Sequence, residues 1–289
     1  TENNTEYKWF SEVTDGATAK SESVRDEWKD KISEEVEGVP IPKGFEYKEG
    51  TKDTGLVIQD GKGNEFVWVP ATVETYVKDT SFPVTKPTGD DTLPNEIIEE
   101  ITDVEKYGGF YIGRYEAGIP EGDISTSNKI GIPVSKKGAI VWTNINYINA
   151  KASAESMISN EYVQTGLITG RAWDRTCYWI KDSLNSINTS ASLSDSRYYG
   201  NYINSLGLAN KNNGVKRTAG FNESWKIKNI YDLAGSVWEW TAEFHSTGSV
   251  NRGGSYCNNG EISSISCRND CTSSYYNNDV GFRLRLYIK

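Results

Sequence analysis

Glycine is spread along this chain, and long helical periodicity is scarce. The 289 residues include 27 glycines, and apolar residues keep a helical spacing only in a few short stretches. Nine tryptophans and 17 tyrosines stand against a single methionine. Buried indole and phenol groups need hydrogen-bond partners, so polar contacts would help to hold such a core. These features favour short strands joined by many turns over a helix bundle.

The charge balance is acidic, with a formal net charge of −9. Binding to nucleic acid or to an anionic membrane surface needs clustered Lys and Arg, and no basic stripe is present. No apolar run approaches the roughly 20 residues of a membrane span. We therefore expect no nucleic-acid partner and no membrane span in this chain.

Residues 1–39 are predicted to form an acidic helical extension of one domain that covers residues 40–289. Apolar residues recur there at every fourth position: Val24, Trp28, Ile32 and Val36. Ser23 is suited to cap this helix and Gly38 to end it. The helix either packs on the domain or forms a stem. The chain begins at Thr1 without a signal segment, so we expect its N-terminal anchor to be missing.

The region that follows alternates between strand and helix patterns. Between residues 45 and 69, "TGLVIQD" and "EFVWVP" flank a "GKGN" turn and predict a β-hairpin. Another strand is predicted within residues 108–118, and helices at about 144–159 and 171–186. Cys177 lies on the apolar face of the second helix, which predicts a buried core thiol.

Four segments in order resemble the formylglycine-generating-enzyme (sulfatase-modifying factor) family. They are "GGFYIGRYEAG" at 108–118, "NIYDLAGSVWEWT" at 229–241, "RGGSY" at 252–256 and "GFR" at 281–283. "TGLITGRAWD" also stands where the family has its "LPTEAEWE" stretch. The resemblance covers about residues 108–289. It implies an α+β, C-type-lectin-like fold with short twisted β-sheets, two helices and much irregular structure.

The alternative function that the resemblance implies is a copper-dependent formylglycine-generating oxidase acting on a substrate cysteine. Members with this activity use two cysteines after the "RGGS" motif to hold copper and attack the substrate. Arg268 lies thirteen residues before Gly281, as the arginine of the family's Ala-Ala-Arg element does. The nearer catalytic cysteine of the family lies eight residues before that arginine, and the corresponding residue here is Gly260. Because the cysteine spacing is not met, we predict no catalytic residue. A copper pair of Cys257 with either Cys267 or Cys271 stays open.

Other metal sites have weaker support. A single histidine, His245, excludes the iron sites of other family branches and the usual zinc spacings. We predict no cofactor and no metal ligand. A structural calcium ion held by Asn229 and Asp232 or Glu239 stays open, because family members often bind one. Cys267 and Cys271 could form a local disulfide in an oxidising compartment.

Residues 256–279 read "YCNNGEISSISCRNDCTSSYYNND". Tyr, Asn and Ser are frequent in binding loops, because tyrosine gives large contact area and the others give adaptable hydrogen bonds. Random replacement of both adenines in an AAY asparagine codon can yield every residue here except Glu261. In this respect the segment resembles the variable region of diversity-generating-retroelement proteins. The clustered cysteines would then be random draws. A fixed polar loop on a surface module is the alternative.

We therefore predict a non-catalytic, receptor-like or adhesin-like surface protein, bacterial or phage, whose variable region (about 250–289) binds a protein or carbohydrate ligand on another surface. It would act outside the cell, on a cell surface or on a phage particle. Tyr256, Tyr275 and Tyr276 are the candidate anchors, with Trp238 as support from below. The remaining predicted ligand-binding residues are Cys257, Asn258, Asn259, Ser263, Ser264, Ile265, Asn269, Asp270, Ser273 and Asn277.

Overall fold

The computed structural model describes residues 30–84, 94–97, 100–123, 125–245 and 248–289. The α-helices there are α1 (Ile101–Tyr107), α2 (Tyr147–Ser156) and α3 (Gly170–Ile187). The strands are β1 (Ile32–Val36), β2 (Val39–Pro42), β3 (Phe45–Glu49), β4 (Val57–Asp60), β5 (Glu65–Pro70), β6 (Asn95–Glu96), β7 (Gly109–Gly113), β8 (Val163–Leu167), β9 (Lys226–Ile227), β10 (Ile230–Tyr231), β11 (Trp238–Phe244), β12 (Ser249–Arg252), β13 (Arg268–Cys271), β14 (Val280–Phe282) and β15 (Leu284–Ile288).

A six-stranded antiparallel sheet runs in the order β3-β4-β5-β7-β15-β8. Successive side chains of a strand point to opposite faces. On β5, Phe66 and Trp68 therefore enter one apolar cluster, while Val67 and Val69 enter a second. The hairpin predicted from the "GKGN" turn is confirmed as β4–β5. Strands β5 and β7 are buried on both faces, so the middle of this sheet lies inside the molecule, whereas the edge strand β3 is largely exposed.

A second sheet carries the C-terminal motifs. Its strands run β13-β12-β11-β14, with β6 also paired to β11; β11 and β14 are parallel. The final strand β15 belongs to the central sheet, where Leu284, Leu286 and Ile288 are buried in the first cluster. Residues 280–288 thus tie the two sheets together.

The predicted helices are present as α2 and α3. Each has a side-chain cap: Asn146 accepts a hydrogen bond from Asn149 N, and Thr169 accepts one from Ala172 N. Cys177 on α3 is fully buried, as predicted. The short helix α1 was not predicted from the sequence. No helix in the described ranges has the length and apolarity to cross a membrane.

The N-terminal helix prediction is wrong for Ile32–Val36, which is strand β1 paired with β2; Val24 and Trp28 lie outside the described residues. Glu37 and Gly38 connect the two strands with φ of 52° and 73°. Two positive φ values fit a two-residue turn that reverses the chain, so Gly38 serves a hairpin and not a helix end. The status of residues 1–39 as a separate extension stays a prediction.

Four fully buried charges join the second sheet to α3. Arg252 on β12 lies 2.6 Å from both Asp174 Oδ1 and Glu243 Oε1. Arg268 on β13 lies 2.9 Å from Glu243 Oε2 and also contacts Asp174 Oδ2. Each carboxylate therefore bridges both guanidinium groups, and the four side chains close a ring with no net charge. We call it the charge ring.

Removing one member of the charge ring should destabilise the protein strongly. Arg252→Met leaves two buried carboxylates with one cation, and breaking a buried pair costs about 3–5 kcal/mol. We expect the free energy of unfolding in urea to fall by that amount. The matched control is Lys151→Ala, which breaks the part-exposed Lys151–Glu155 pair on α2 and should change it by less than about 1 kcal/mol. Equal effects of the two substitutions would contradict a central role for the ring.

Candidate functional site

The predicted variable segment divides into three parts by exposure. Residues 256–262 form a first arm and residues 272–279 a second arm, and both are largely exposed or half-buried. Residues 263–271 form a middle segment that is mostly buried and includes β13. The candidate binding surface therefore consists of two arms that leave opposite ends of one buried anchor.

The middle segment is anchored by hydrogen bonds to α3 and to the loop after it. Trp173 Nε1 donates to Ile265 O at 2.8 Å, and Ile265 N donates to Ser196 Oγ at 3.0 Å. Ser266 Oγ donates to Leu193 O at 2.9 Å. The segment then enters the charge ring through its arginine and pairs with β12. These contacts hold its backbone in place whatever the arms carry.

The first arm is hydrogen-bonded to the loop that contains residues 203 and 204. Ile203 N donates to Asn258 O at 3.1 Å, and Gly260 N donates to Asn204 Oδ1 at 3.0 Å. A Cβ at Gly260 would lie 2.8 Å from the Tyr202 ring, so this position requires glycine. Asn258 Oδ1 accepts from the Ser255 hydroxyl at 2.7 Å and closes the turn that begins the arm.

The second arm returns to the first through one carboxylate. Asp279 Oδ2 accepts from Ser255 Oγ at 3.1 Å and from Cys257 Sγ at 3.4 Å. Asp279 O also accepts from Trp238 N at 2.8 Å. The indole of Trp238 is buried in the first apolar cluster. It thus lies beneath the place where the arms meet, and its predicted role in ligand binding stays a prediction.

Tyrosines and amides dominate what the arms expose. Tyr276 is 53% and Tyr275 39% exposed, and Asn277 Nδ2 donates to Tyr275 Oη at 3.2 Å. Tyr256 is half-buried. The other predicted contact residues that the structure leaves exposed or half-buried are Cys257, Asn258, Asn259, Asn269, Ser273 and Asn277. Their role in binding stays a prediction.

Besides Trp238, four predicted contact residues are buried, and their role in binding stays a prediction. Ser263, Ser264, Ile265 and Asp270 belong to the buried middle segment. Ile265 packs in the second apolar cluster with α3. Conversely, Ile262 was not predicted, although its side chain is 65% exposed. The two isoleucines lie only three positions apart in the sequence, and nothing in their type or neighbours indicates which one faces solvent.

The thiols in this region lie in different surroundings: Cys257 is exposed, Cys267 buried and Cys271 half-buried. Cys177, Cys257 and Cys267 are free thiols, so no disulfide joins Cys267 to Cys271 here. Burial raises the pKa of Cys267 to about 11. Burial and the nearby Asp279 carboxylate raise the pKa of Cys257. A nucleophilic or copper-binding cysteine needs a thiolate, and these surroundings favour the thiol.

The residues proposed for calcium are engaged with protein groups. Arg283 lies 2.6 Å from Glu239 Oε1, and Asn229 Nδ2 donates to Gly55 O at 2.8 Å. Within the described ranges, no three His, Cys, Asp or Glu side chains are placed to hold a metal. Asp232 Oδ2 accepts from Gly220 N at 2.7 Å, while its buried Oδ1 has no hydrogen-bond partner. The ion stays a prediction from the family resemblance.

Part of this chain matches a known protein family. Residues 146–287 match the sulfatase-modifying factor enzyme 1-like domain family. The match spans α2, α3 and the second sheet, together with the middle segment and both arms. It confirms the resemblance drawn from the motifs and the α+β, C-type-lectin-like fold class.

Three solved structures are similar in overall shape. Treponema denticola variable protein 1 is 13% identical with a TM-score of 0.42, over 83% of this chain and 98% of that one. PvdO from Pseudomonas aeruginosa is 14% identical with a TM-score of 0.47, over 80% and 97%. CarF is 17% identical with a TM-score of 0.38, over 63% and 87%. No curated protein sequence matches this chain.

The division into exposed arms and buried anchor predicts two different responses to alanine. Tyr275→Ala with Tyr276→Ala should change the free energy of unfolding by no more than about 0.5 kcal/mol per site, as exposed substitutions do. Ile265→Ala should lower it by about 2–5 kcal/mol, because it opens a cavity against α3. Urea unfolding of both variants measures this difference. A large loss in the tyrosine variant would show that the second arm is part of the core.

Proposed function

We propose that this chain is a non-catalytic binding protein, displayed on a cell surface or a phage particle, whose two arms contact the ligand. The observation that carries the proposal is the separation of exposed arms from a buried anchor. The arms present tyrosine, asparagine, serine and isoleucine side chains. Such side chains suit a contact surface, and loops on a rigid scaffold are where binding residues collect.

The proposal extends to how the arms vary. A retroelement that replaces adenines can change the arms freely only if the residues needed for folding lie elsewhere. The fixed requirements of the segment are concentrated at Gly260, Ile265 and Arg268, which are buried among Tyr202, α3 and the charge ring. The arms themselves contribute little to the core. A surface of this kind tolerates many sequences on one fold.

The DNA beside the gene tests this diversification. We expect a near-copy of codons 250–289 next to a reverse-transcriptase gene, differing from the coding copy only where the near-copy carries adenine. The differences should fall in codons of exposed residues such as Asn259, Ile262 and Tyr276, and should spare Gly260 and Arg268. A flanking region without a near-copy, or with changes at other bases, would mean that the arms are fixed in sequence.

The runner-up function is a copper-dependent oxidase, and copper binding separates it from the proposal. The buried, protonated thiol of Cys267 and the exposed thiol of Cys257 do not favour a preformed pair. Titration of the reduced protein with Cu(I), followed by thiolate-to-copper absorption, should therefore show no tight one-to-one site. Tight binding that is lost in both Cys257→Ser and Cys267→Ser would instead support the oxidase. The Cys177→Ser variant serves as the control, because that thiol is buried on α3.

A further inference from the structure

A shallow apolar depression borders the second arm. It is lined by Ile140, Val141, Lys216, Arg217, Thr218 and Phe221 and encloses about 310 Å³. Lys216 Nζ donates to Asn278 O at 3.1 Å and to Thr143 Oγ1 at 3.0 Å. One lining residue thus touches the second arm directly. All six lie outside residues 256–279.

The depression combines an apolar floor with positive charge. Phe221 is 45% and Ile140 39% exposed. The Arg217 guanidinium lies 4.9 Å from the centroid of the Phe221 ring, so the aromatic floor and the cation form one unit. No carboxylate lines the depression, although the chain as a whole carries a net charge of −9. The local charge is therefore opposite to that of the molecule.

Exposed apolar side chains continue from the depression toward the first arm. Val215, next to Lys216, and Ile203 are at least half exposed. Gly214 packs directly on Ile203: a Cβ there would lie 3.4 Å from Ile203 Cα, and its φ is +67°. Ile203 N is in turn bonded to the first arm. The loop from residue 203 to 221 thus forms an apolar, basic edge between the two arms.

We infer that this depression is a constant subsite for a protein ligand, and that it takes a large apolar side chain next to an Asp or Glu side chain. The inference rests on the proposed function, since the arms would contact the same ligand. Apolar and aromatic side chains with arginine are enriched at the centres of protein interfaces. A neutral sugar has no charge for the two cations, and an acidic sugar has no large apolar group for the floor. Because the lining residues lie outside the arms, every variant of the arms would keep this subsite.

Two short peptides test the subsite in the full-length ¹⁵N-labelled protein. The probe is acetyl-Gly-Phe-Asp-Gly-amide, and acetyl-Gly-Phe-Asn-Gly-amide is its neutral match. The aspartate peptide should shift the amide signals of Arg217, Thr218 and Phe221 in a saturable way. The asparagine peptide should bind about fivefold more weakly, and high salt should remove the difference. No shift, or equal shifts with both peptides, would overturn the inference.

Substitutions locate the effect. Arg217→Gln should abolish the preference for the aspartate peptide while the rest of the spectrum is unchanged. Lys181→Gln on α3 is the matched control. Lys181 Nζ also lies over an exposed aromatic ring, 5.7 Å from the centroid of Tyr178. The control should retain the preference. Loss of the preference in both variants would overturn the assignment to this depression.

Two further measurements distinguish the possible causes of a negative result. Tyr47→Ala should leave peptide binding unchanged, because this exposed ring lies on β3, outside both the arms and the depression. If 3-phenylpropionate binds and neither peptide does, the site takes small organic acids and the protein-ligand inference is wrong. A missing near-copy in the flanking DNA would overturn diversification alone and leave aspartate-selective peptide binding intact. The two proposals therefore fail separately.

Discussion

Two carboxylates and two guanidinium groups, withdrawn completely from water, hold α3 and the second sheet together. Taking four charges out of water is unfavourable unless each finds a partner of opposite sign. Asp174 comes from α3, Glu243 from β11, Arg252 from β12 and Arg268 from β13. The favourable arrangement exists only when all four elements are in register. The ring therefore couples the helix to three strands in a way that apolar packing, which is tolerant of small shifts, does not.

This coupling also determines where sequence variation is tolerated. Arg268 lies in the middle of the segment whose composition indicates diversification, yet its guanidinium completes the ring and its Nη1 donates to Asp79 O at 3.1 Å. The backbone on both sides is bonded to Ser196 and to β12. Residues beyond these points leave the core and form the arms. The constraint is thus local: a few buried positions fix the path of the chain, and the exposed positions of the arms on either side contribute little to stability.

The sequence predicted the scaffold better than the surface, and the reasons are physical. Strand β5 and the face of α3 that carries Cys177 follow regular periodicities, so their buried residues could be read directly. The segment before residue 40 has apolar residues four positions apart, which predicted a helix. In the structure Glu37 has a positive φ within a turn, and Ile32–Val36 is a strand of the hairpin that this turn closes. That conformation leaves no mark in hydrophobic spacing. Four of the predicted contact residues in the middle segment are buried. Which side chains of this region enter the core depends on packing against α3, which is far away in sequence: Ile265 packs there, whereas Ile262 is exposed.

The surroundings of the three clustered cysteines bear on whether they form one chemical site or occupy unrelated positions. A shared function would bring their sulfur atoms into one environment, whereas Cys257 is exposed in the first arm, Cys267 is buried and Cys271 is half-buried. Their environments differ as much as those of the neighbouring serines and asparagines do. Burial raises the pKa of both Cys257 and Cys267, and the latter lies beside the charge ring, where its backbone carbonyl accepts from Arg252 Nε at 3.2 Å. A thiol at such a site acts as a small apolar side chain. Cysteines in such different surroundings are compatible with the proposed diversification, in which cysteine would be one of several residues drawn at each position.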